Sequence, residues 1–368
     1  MSGPAISTID DASLLAALAS LQMPEWRAAQ LRRATWQPFI AGFDDVRQLP
    51  PAKRAGVAER LTFSTVRSRA ETDADSGRTV KLLCELGDGL TVETVGMETP
   101  AHGRARRRST ICVSSQVGCA VGCPFCATGR AGLRRSCDAA EIVDQVRVAA
   151  AALHRRGLGP VTHVVYMGMG EPLANLDAVI ESLRVLVARA GLSPRRITVS
   201  TSGVVPAIDR LGSEAPPVRL AVSLHAATDE LRDRLVPLNR AHPIADLTRA
   251  ATAYAGRTGR RLTFEWCLIG GVNDSPEQAT ALRRLARDAG AHVNVIPMNR
   301  IAGSAWGPPA AAVSHAFLEA LRGVRVSVRD TRGNEADAAC GQLRALLETR
   351  RELRPDGTLA APRRAVTV

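Results

Sequence analysis

The chain has 368 residues, 45% of them apolar, which suffices for one large α/β domain with a real core plus a small accessory unit. Lys and Arg number 48 against 36 Asp and Glu, a formal net charge of +12, which favours a polyanionic partner such as nucleic acid without choosing RNA over DNA. The 3% aromatic content excludes an extensive base-stacking platform, so Arg planes and phosphate contacts would carry more of any RNA binding.

From the N-terminus, apolar Leu14, Leu15, Leu18 and Leu21, then residues 26–36, then 57–61, read as short helices interrupted by Pro50-Pro51. Residues 1–75 are thus expected to form a small helical accessory domain. Residues 79–97 hold two β-prone runs around Gly87-Asp88-Gly89, a hairpin signal, and the basic stretch AHGRARRR follows at 101–108. Together residues 76–108 read as a hairpin and basic linker.

From Ser109, β-rich runs alternate with helical stretches: STICVS (109–114), THVVYM (162–167), RITVS (196–200), VRLAVSL (218–224), RLTFEWCL (261–268) and HVNVIP (292–297). Six strands separated by long crossovers imply a parallel sheet with helices outside. Asp138 and Glu141 form a helix-start pair before apolar Ile142, Val143 and Val146. A seventh run, VRVSVRD (324–330), leads towards Cys340, and 346–368 read as a flexible tail. The expected fold class is α/β, a partial (β/α)6 barrel core over 109–345, with active-site residues at the C-terminal ends of its strands.

No basic segment followed by an apolar core and cleavage site opens the sequence, and no run reaches the roughly 18 apolar residues of a membrane helix. A cytoplasmic protein without membrane attachment is therefore expected. Its eight cysteines are 84, 112, 119, 123, 126, 137, 267 and 340, and reducing surroundings favour metal or redox roles over structural disulfides.

The strongest motif is Cys119-Ala-Val-Gly-Cys123-Pro-Phe-Cys126. Three thiolates from one loop can hold three irons of a [4Fe-4S] cluster and leave the fourth open to chelate the amino and carboxyl groups of S-adenosylmethionine (SAM). A structural zinc site needs a closed tetrahedral set, and neither a second Cys-x-x-Cys nor a His-x-x-x-His is present. Cys84 and Cys267 lie in apolar strand-like runs and read as packing residues, and Cys137 has no assigned role. Gly168-Met169-Gly170-Glu171-Pro172 follows the second core strand, where glycines let the backbone approach a ligand and Glu171 can accept from a SAM amino group.

The segments ICVSSQVGCAVGCPFCATG, YMGMGEPLAN, VSTSGVVPAI, VSLHAATDELRDRLVP and DAACGQL resemble, in order, the motifs of the RlmN/Cfr family of dual-cysteine radical SAM adenosine methyltransferases. The resemblance extends to the N-terminal MPEWRAAQLRRATW and to VETVGM. It implies that Cys340 carries a methyl group, that a second SAM per turnover yields the radical that activates it, and that the carbon radical adds to adenine. It further implies that Glu93 accepts the ring proton and that Cys112 resolves the adduct through a transient disulfide with Cys340. Gly170, Glu171, Ser200, Ser223, Leu224, His225 and Asn299 line the SAM site by the same resemblance, with Ser202 as a further candidate.

The implied partners are RNA, namely 23S rRNA and also tRNA, and an electron donor such as flavodoxin or ferredoxin. The chain is expected to act as a monomer whose helical domain binds RNA. Arg104 to Arg108, Arg134-Arg135 and Arg195-Arg196 are candidate phosphate contacts or simply solvated faces. Arg300 stands where the family commonly has proline, which bears on local loop shape. The C2 product is favoured; C8 methylation, radical SAM chemistry on a non-RNA substrate, and a noncatalytic RNA-binding iron-sulfur or zinc module remain open alternatives.

Overall fold

The computed structural model describes residues 3–101, 103, 106–299, 304–329 and 342–343. Cys340 and Arg300, two positions singled out by the sequence, lie outside the described residues.

Helices α1 (Asp11–Ser20), α2 (Arg27–Thr35) and α3 (Pro51–Arg60) open the chain. Asp10 caps α1 by accepting from the backbone N–H of Ser13 at 2.8 Å, and Pro51 sits at the first position of α3, where a missing N–H costs nothing. Leu14, Leu18, Leu31, Leu49 and Val57 give these helices an apolar cluster of their own.

Four strands follow in antiparallel order: β1 (Val66–Ala74), β2 (Thr79–Leu86), β3 (Thr91–Thr99) and β4 (Arg108–Cys112). The expected hairpin is β2–β3, turned at Gly87-Asp88-Gly89, where the Leu90 N–H bonds Asp88 Oδ1 at 3.1 Å. Residues 66–74, assigned above to the helical segment, instead form β1. That strand is an edge strand with most side chains exposed, so neither an apolar alternation nor a continuous run marks it.

After β4, the short pair β5 (Gln116–Gly118) and β6 (Leu133–Ser136) clasps a loop containing α4 (Ala127–Ala131). Helix α5 (Ala139–Arg155) starts at the expected box, with Glu141 N–H donating to Asp138 Oδ1 at 2.7 Å and Asp138 N–H to Glu141 Oε2 at 3.0 Å. The alternation then runs β7 (His163–Tyr166), α6 (Leu176–Ala188), β8 (Ile197–Thr201), α7 (Val205–Glu214) and β9 (Arg219–Ser223). It continues through α8 (Asp229–Leu235), α9 (Ile244–Thr258), β10 (Leu262–Leu268), α10 (Pro276–Asp288), β11 (His292–Pro297), α11 (Ala311–Ala320) and β12 (Val326–Val328).

One sheet joins these strands in the order β1-β2-β3-β4-β7-β8-β9-β10-β11-β12, parallel from β4 onward. Among the described residues β1 and β12 do not pair, so the parallel strands form a partial barrel of the expected kind, with the VRVSVRD run supplying a short final strand. Buried Val, Ile and Leu of the strands pack against the outer helices, and the C-terminal strand ends open onto the site.

Candidate radical SAM site

The cysteine loop is shaped by backbone constraints. Cys119 N–H bonds the carbonyl of Gly132 at 2.9 Å, closing the β5–β6 pair over the loop, and Cys126 caps α4. Gly118 has φ +82°, and a Cβ there would lie 1.8 Å from the Gly132 oxygen; a Cβ on Gly129 would lie 2.9 Å from the backbone of Cys123. A side chain at either position would have to displace the backbone of the cysteine loop or of its clasp.

Cys119, Cys123 and Cys126 line one cavity of about 160 Å³ at the C-terminal ends of the parallel strands, together with Gly170, Glu171, Ser200, Ser202, Ser223, His225 and Asn299. Among the described residues no three His, Cys, Asp or Glu side chains converge on a single ion position. In a cluster, by contrast, each thiolate holds its own iron and the sulfurs stay apart. Burial, with smaller contributions from Glu171 and Cys126, pushes Cys119 up to about 12, and burial likewise raises Cys123. Only a bound positive centre would hold such thiols as thiolates, which is the behaviour of metal ligands. The donor set fits a three-cysteine cluster.

Beside it, Gly170 has φ +98° and a Cβ there would strike Gln116 at 2.5 Å, so glycine is required where the backbone passes this side chain. Glu171 is buried and oriented: its N–H donates to Gln116 Oε1 at 2.9 Å, Oε1 accepts from Leu173 N–H at 3.0 Å and Oε2 from Ser202 N–H at 2.7 Å. Burial raises its pKa despite these donors, so an ammonium group placed in the cavity would find a carboxylate ready to be stabilised. The Ser200 and Ser223 hydroxyls lie 3.3 Å apart on adjacent strand ends, two polar handles suited to a nucleoside.

His225 holds φ +60° and its Nδ1 accepts from Cys267 N–H at 2.9 Å, which assigns the remaining ring hydrogen to Nε2. Burial, then Arg232, pulls its pKa down to about 3, so the ring is neutral. Its edge meets Phe125 of the cysteine loop, with ring centroids 4.9 Å apart. Leu224, expected at the SAM site, is placed otherwise: its side chain is fully buried in the core, and its carbonyl accepts from Arg232.

Cys112, at the end of β4, faces Val95 of β3 and Val165 of β7 in register and lines a second cavity inside the barrel, below the first. The two cavities share Met167, Glu265, Ile296, Asn299, Arg329 and Leu343. Glu93, two residues before Val95 on the same strand face, lies in neither lining. It is buried, forms a 3.2 Å ion pair with Lys81, and its carbonyl accepts from Ser114 Oγ at 2.6 Å at the C-terminal end of β4.

Several participants escaped the sequence reading. Cys267, read as packing, lines the upper cavity instead, because its strand residue turns inward where β10 ends. Lys81, Glu265 and the buried Arg232 carried no motif. Arg135, a candidate phosphate contact, is committed to Glu141 and Asp88, whereas Arg134, Arg195 and Arg196 are exposed. No described helix is long and apolar enough to cross a membrane.

Comparison with known proteins follows the same lines. Residues 113–282 match the Radical SAM superfamily, whose members use a [4Fe-4S] cluster and SAM. The protein named probable dual-specificity RNA methyltransferase RlmN from Parafrankia sp. (strain EAN1pec) is 46% identical over 343 residues, covering 89% of this chain and 88% of its own length. Its namesake from Moorella thermoacetica is also 46% identical, covering 87% of this chain and 91% of its own. The crystal structure of a radical SAM methyltransferase from Sphaerobacter thermophilus superposes with a TM-score of 0.87 at 44% identity, covering 93% of this chain and 99% of that one. The chain belongs to the RlmN family of radical SAM methyltransferases.

Proposed function

We propose that this protein methylates an adenine ring carbon of RNA, C2 in preference to C8, in 23S rRNA and also in tRNA, with the methyl group carried by Cys340. The observation that carries the reading is the continuity of the two cavities. The three-thiol loop, Glu171 and the paired serines surround the upper one, and Cys112 lines the connected chamber beneath. The relatives' shared name, dual-specificity RNA methyltransferase, supports RNA as the substrate class.

When bound, the cluster and SAM supply the methyl group and the one-electron chemistry that an unreactive adenine carbon demands. Cys119, Cys123 and Cys126 would hold the cluster; Glu171, Ser200, Ser223 and Asn299 would orient SAM. The Cys340 thiolate accepts the methyl as a sulfur nucleophile, which the ring carbon cannot do well. Once the carried carbon is bonded to the ring and the ring proton has been removed, Cys112 attacks the Cys340 sulfur. The sulfur–carbon bond breaks with its electron pair passing to the methylated base, which takes up a proton, and the Cys112–Cys340 disulfide left behind needs external reduction. Glu93 takes the ring proton, its carboxylate oriented by the 3.2 Å ion pair with Lys81.

Supporting an RNA contact for the helical segment, Trp26 and Phe39 are exposed and the Arg27 guanidinium stacks 4.5 Å over the Trp26 ring. A cytoplasmic monomer supplied by a flavodoxin- or ferredoxin-type donor completes the reading, since a cluster and a reducible disulfide both need reducing surroundings.

The test is nucleoside mass spectrometry of unmodified ribosomal and transfer RNA incubated anaerobically with reconstituted protein, reductant and SAM. The proposal expects 2-methyladenosine. An 8-methyladenosine product would move the target carbon, and SAM cleavage without either product would point to another substrate.

A further inference from the structure

Glu265 lies in the middle of β10, where Phe264 and Trp266 turn to the core and its own side chain turns into the barrel. Asn294 Nδ2 donates to its Oε1 at 2.9 Å, Ser327 Oγ donates to Asn294 Oδ1, and His292 Nε2 lies 2.8 Å from Ser327 Oγ. This chain of bonds across β10, β11 and β12 fixes one carboxyl oxygen. The other, Oε2, is buried and has no hydrogen-bond partner among the described residues. A polar atom stripped of water and left unpaired is costly, and a core residue without a ligand to meet would be apolar.

The carboxyl stands where the upper and lower cavities join. Burial raises its pKa, with partial relief from Arg329 and Asn294, which favours the protonated carboxyl; in that form Oε2 presents an O–H donor together with lone pairs on the same oxygen. Below it, the rim of the lower cavity carries the guanidinium groups of Arg219 and Arg261, suited to phosphates on either side of an extruded base.

We infer that Glu265 reads the target base: its Oε2 hydroxyl donates to a ring nitrogen of adenine and accepts from the neighbouring 6-amino group. This rests on the RNA-adenine reading above. Adenine places its amino donor beside an unprotonated ring nitrogen at both N1 and N7, a donor-acceptor pair that one neutral carboxyl oxygen can satisfy. Guanine offers a carbonyl where adenine has the amine and binds less well. The side chain positions the base and takes no part in bond making.

The experiment uses the reconstituted holoenzyme with a 23S rRNA fragment carrying the target adenosine, and the same fragment carrying 7-deazaadenosine or 1-deazaadenosine there. Methylated nucleoside per SAM cleaved and the KM for RNA are read for the parent, Glu265→Leu and Glu265→Gln, with cluster absorbance as the folding control. Glu265→Leu should raise the KM for RNA by roughly tenfold or more, because a site built to bond a polar edge discriminates strongly. Glu265→Gln keeps a carbonyl for Asn294 and an N–H for the ring nitrogen but cannot accept from the 6-amino group, so it should recover part of the affinity and bind RNA better than the Leu variant. One deaza substitution should weaken the parent to the level of the Leu variant and leave that variant no weaker.

Equal sensitivity of parent and Leu variant to both deaza substitutions would overturn the inference. So would a Gln variant as poor as Leu, or a loss confined to SAM affinity. If the parent methylates no RNA adenosine, the underlying function fails and the inference with it; a methylating parent matched by an unimpaired Leu variant removes the inference alone.

Discussion

Thr128 Oγ donates a 2.6 Å hydrogen bond to the carbonyl of Leu343, joining the helix behind the cysteine loop to a residue 215 positions later and three after Cys340. Leu343 is buried and lines both cavities, so this bond fastens a residue three positions after Cys340 to the cysteine loop. Thr128→Val keeps the side-chain shape and leaves a buried carbonyl unpaired, a loss of about 1–3 kcal/mol. Urea denaturation should register that loss, and methyl transfer should fall further than iron content.

The guanidinium of Arg232 donates to the carbonyls of Leu224 at 3.0 Å, Ser202 at 2.6 Å and Ser223 at 3.2 Å, and to Asn239 Oδ1 at 2.9 Å. It thereby fixes the loops that carry Ser202, Ser223 and His225, and burial pulls its pKa down to about 10. Arg232→Met should destabilise the fold by about 3 kcal/mol, since several buried acceptors lose their donor together. Arg232→Lys should recover little, because an ammonium cannot span the fork. Chemical denaturation checks the first statement and SAM-binding calorimetry the second.

His163, at the start of β7, has a pKa pulled down to about 4, first by burial and then by Arg108, Arg196 and Arg219. In the unfolded chain it titrates near 6.5, so between those values the unfolded state binds more protons. The stability this neutral ring contributes is present above pH 6.5 and is lost as pH falls towards 4. The urea midpoint of the parent should decline through that window, and His163→Gln should decline less. Added salt should narrow the difference by screening the arginines.

Much of this was legible in the sequence because the chemistry forces it. Cys119, Cys123 and Cys126 stand out since a loop with three thiols has few structural uses, and the parallel strands stand out as runs of buried Val, Ile and Leu. What was hidden depends on which way a side chain faces or on partners far away in sequence. β1 is polar because it lies at an exposed edge. Cys267 and Glu265 share one apolar run, and only the barrel's inward turn separates them from Phe264 and Trp266. A lone acid inside LTFEWCL was the available signal for Glu265. Arg232 resembles a surface charge on a helix rich in Asp and Arg until the loops it ties are seen, and Lys81 becomes meaningful only when β2 and β3 are placed in register.

If Cys112 is the resolving thiol, Cys112→Ala should stop the reaction after carbon-carbon bond formation and leave RNA attached to the protein through Cys340. Denaturing electrophoresis with labelled RNA should show a slow-migrating adduct absent from the Cys112→Ala/Cys340→Ala double variant. A Cys112→Ala enzyme that releases product at the parent rate would remove this role.

The carrier mechanism makes an isotopic demand that no direct methyl transfer makes. A methyl group that first sits on Cys340 must surrender one hydrogen before it bonds to adenine. With SAM bearing a fully deuterated methyl group and unlabelled RNA, mass spectrometry of the methyladenosine should therefore find two deuterons in the new methyl group. Three deuterons would mean that the methyl passed intact from SAM to the base, and the account built on Cys340 and Cys112 would be wrong.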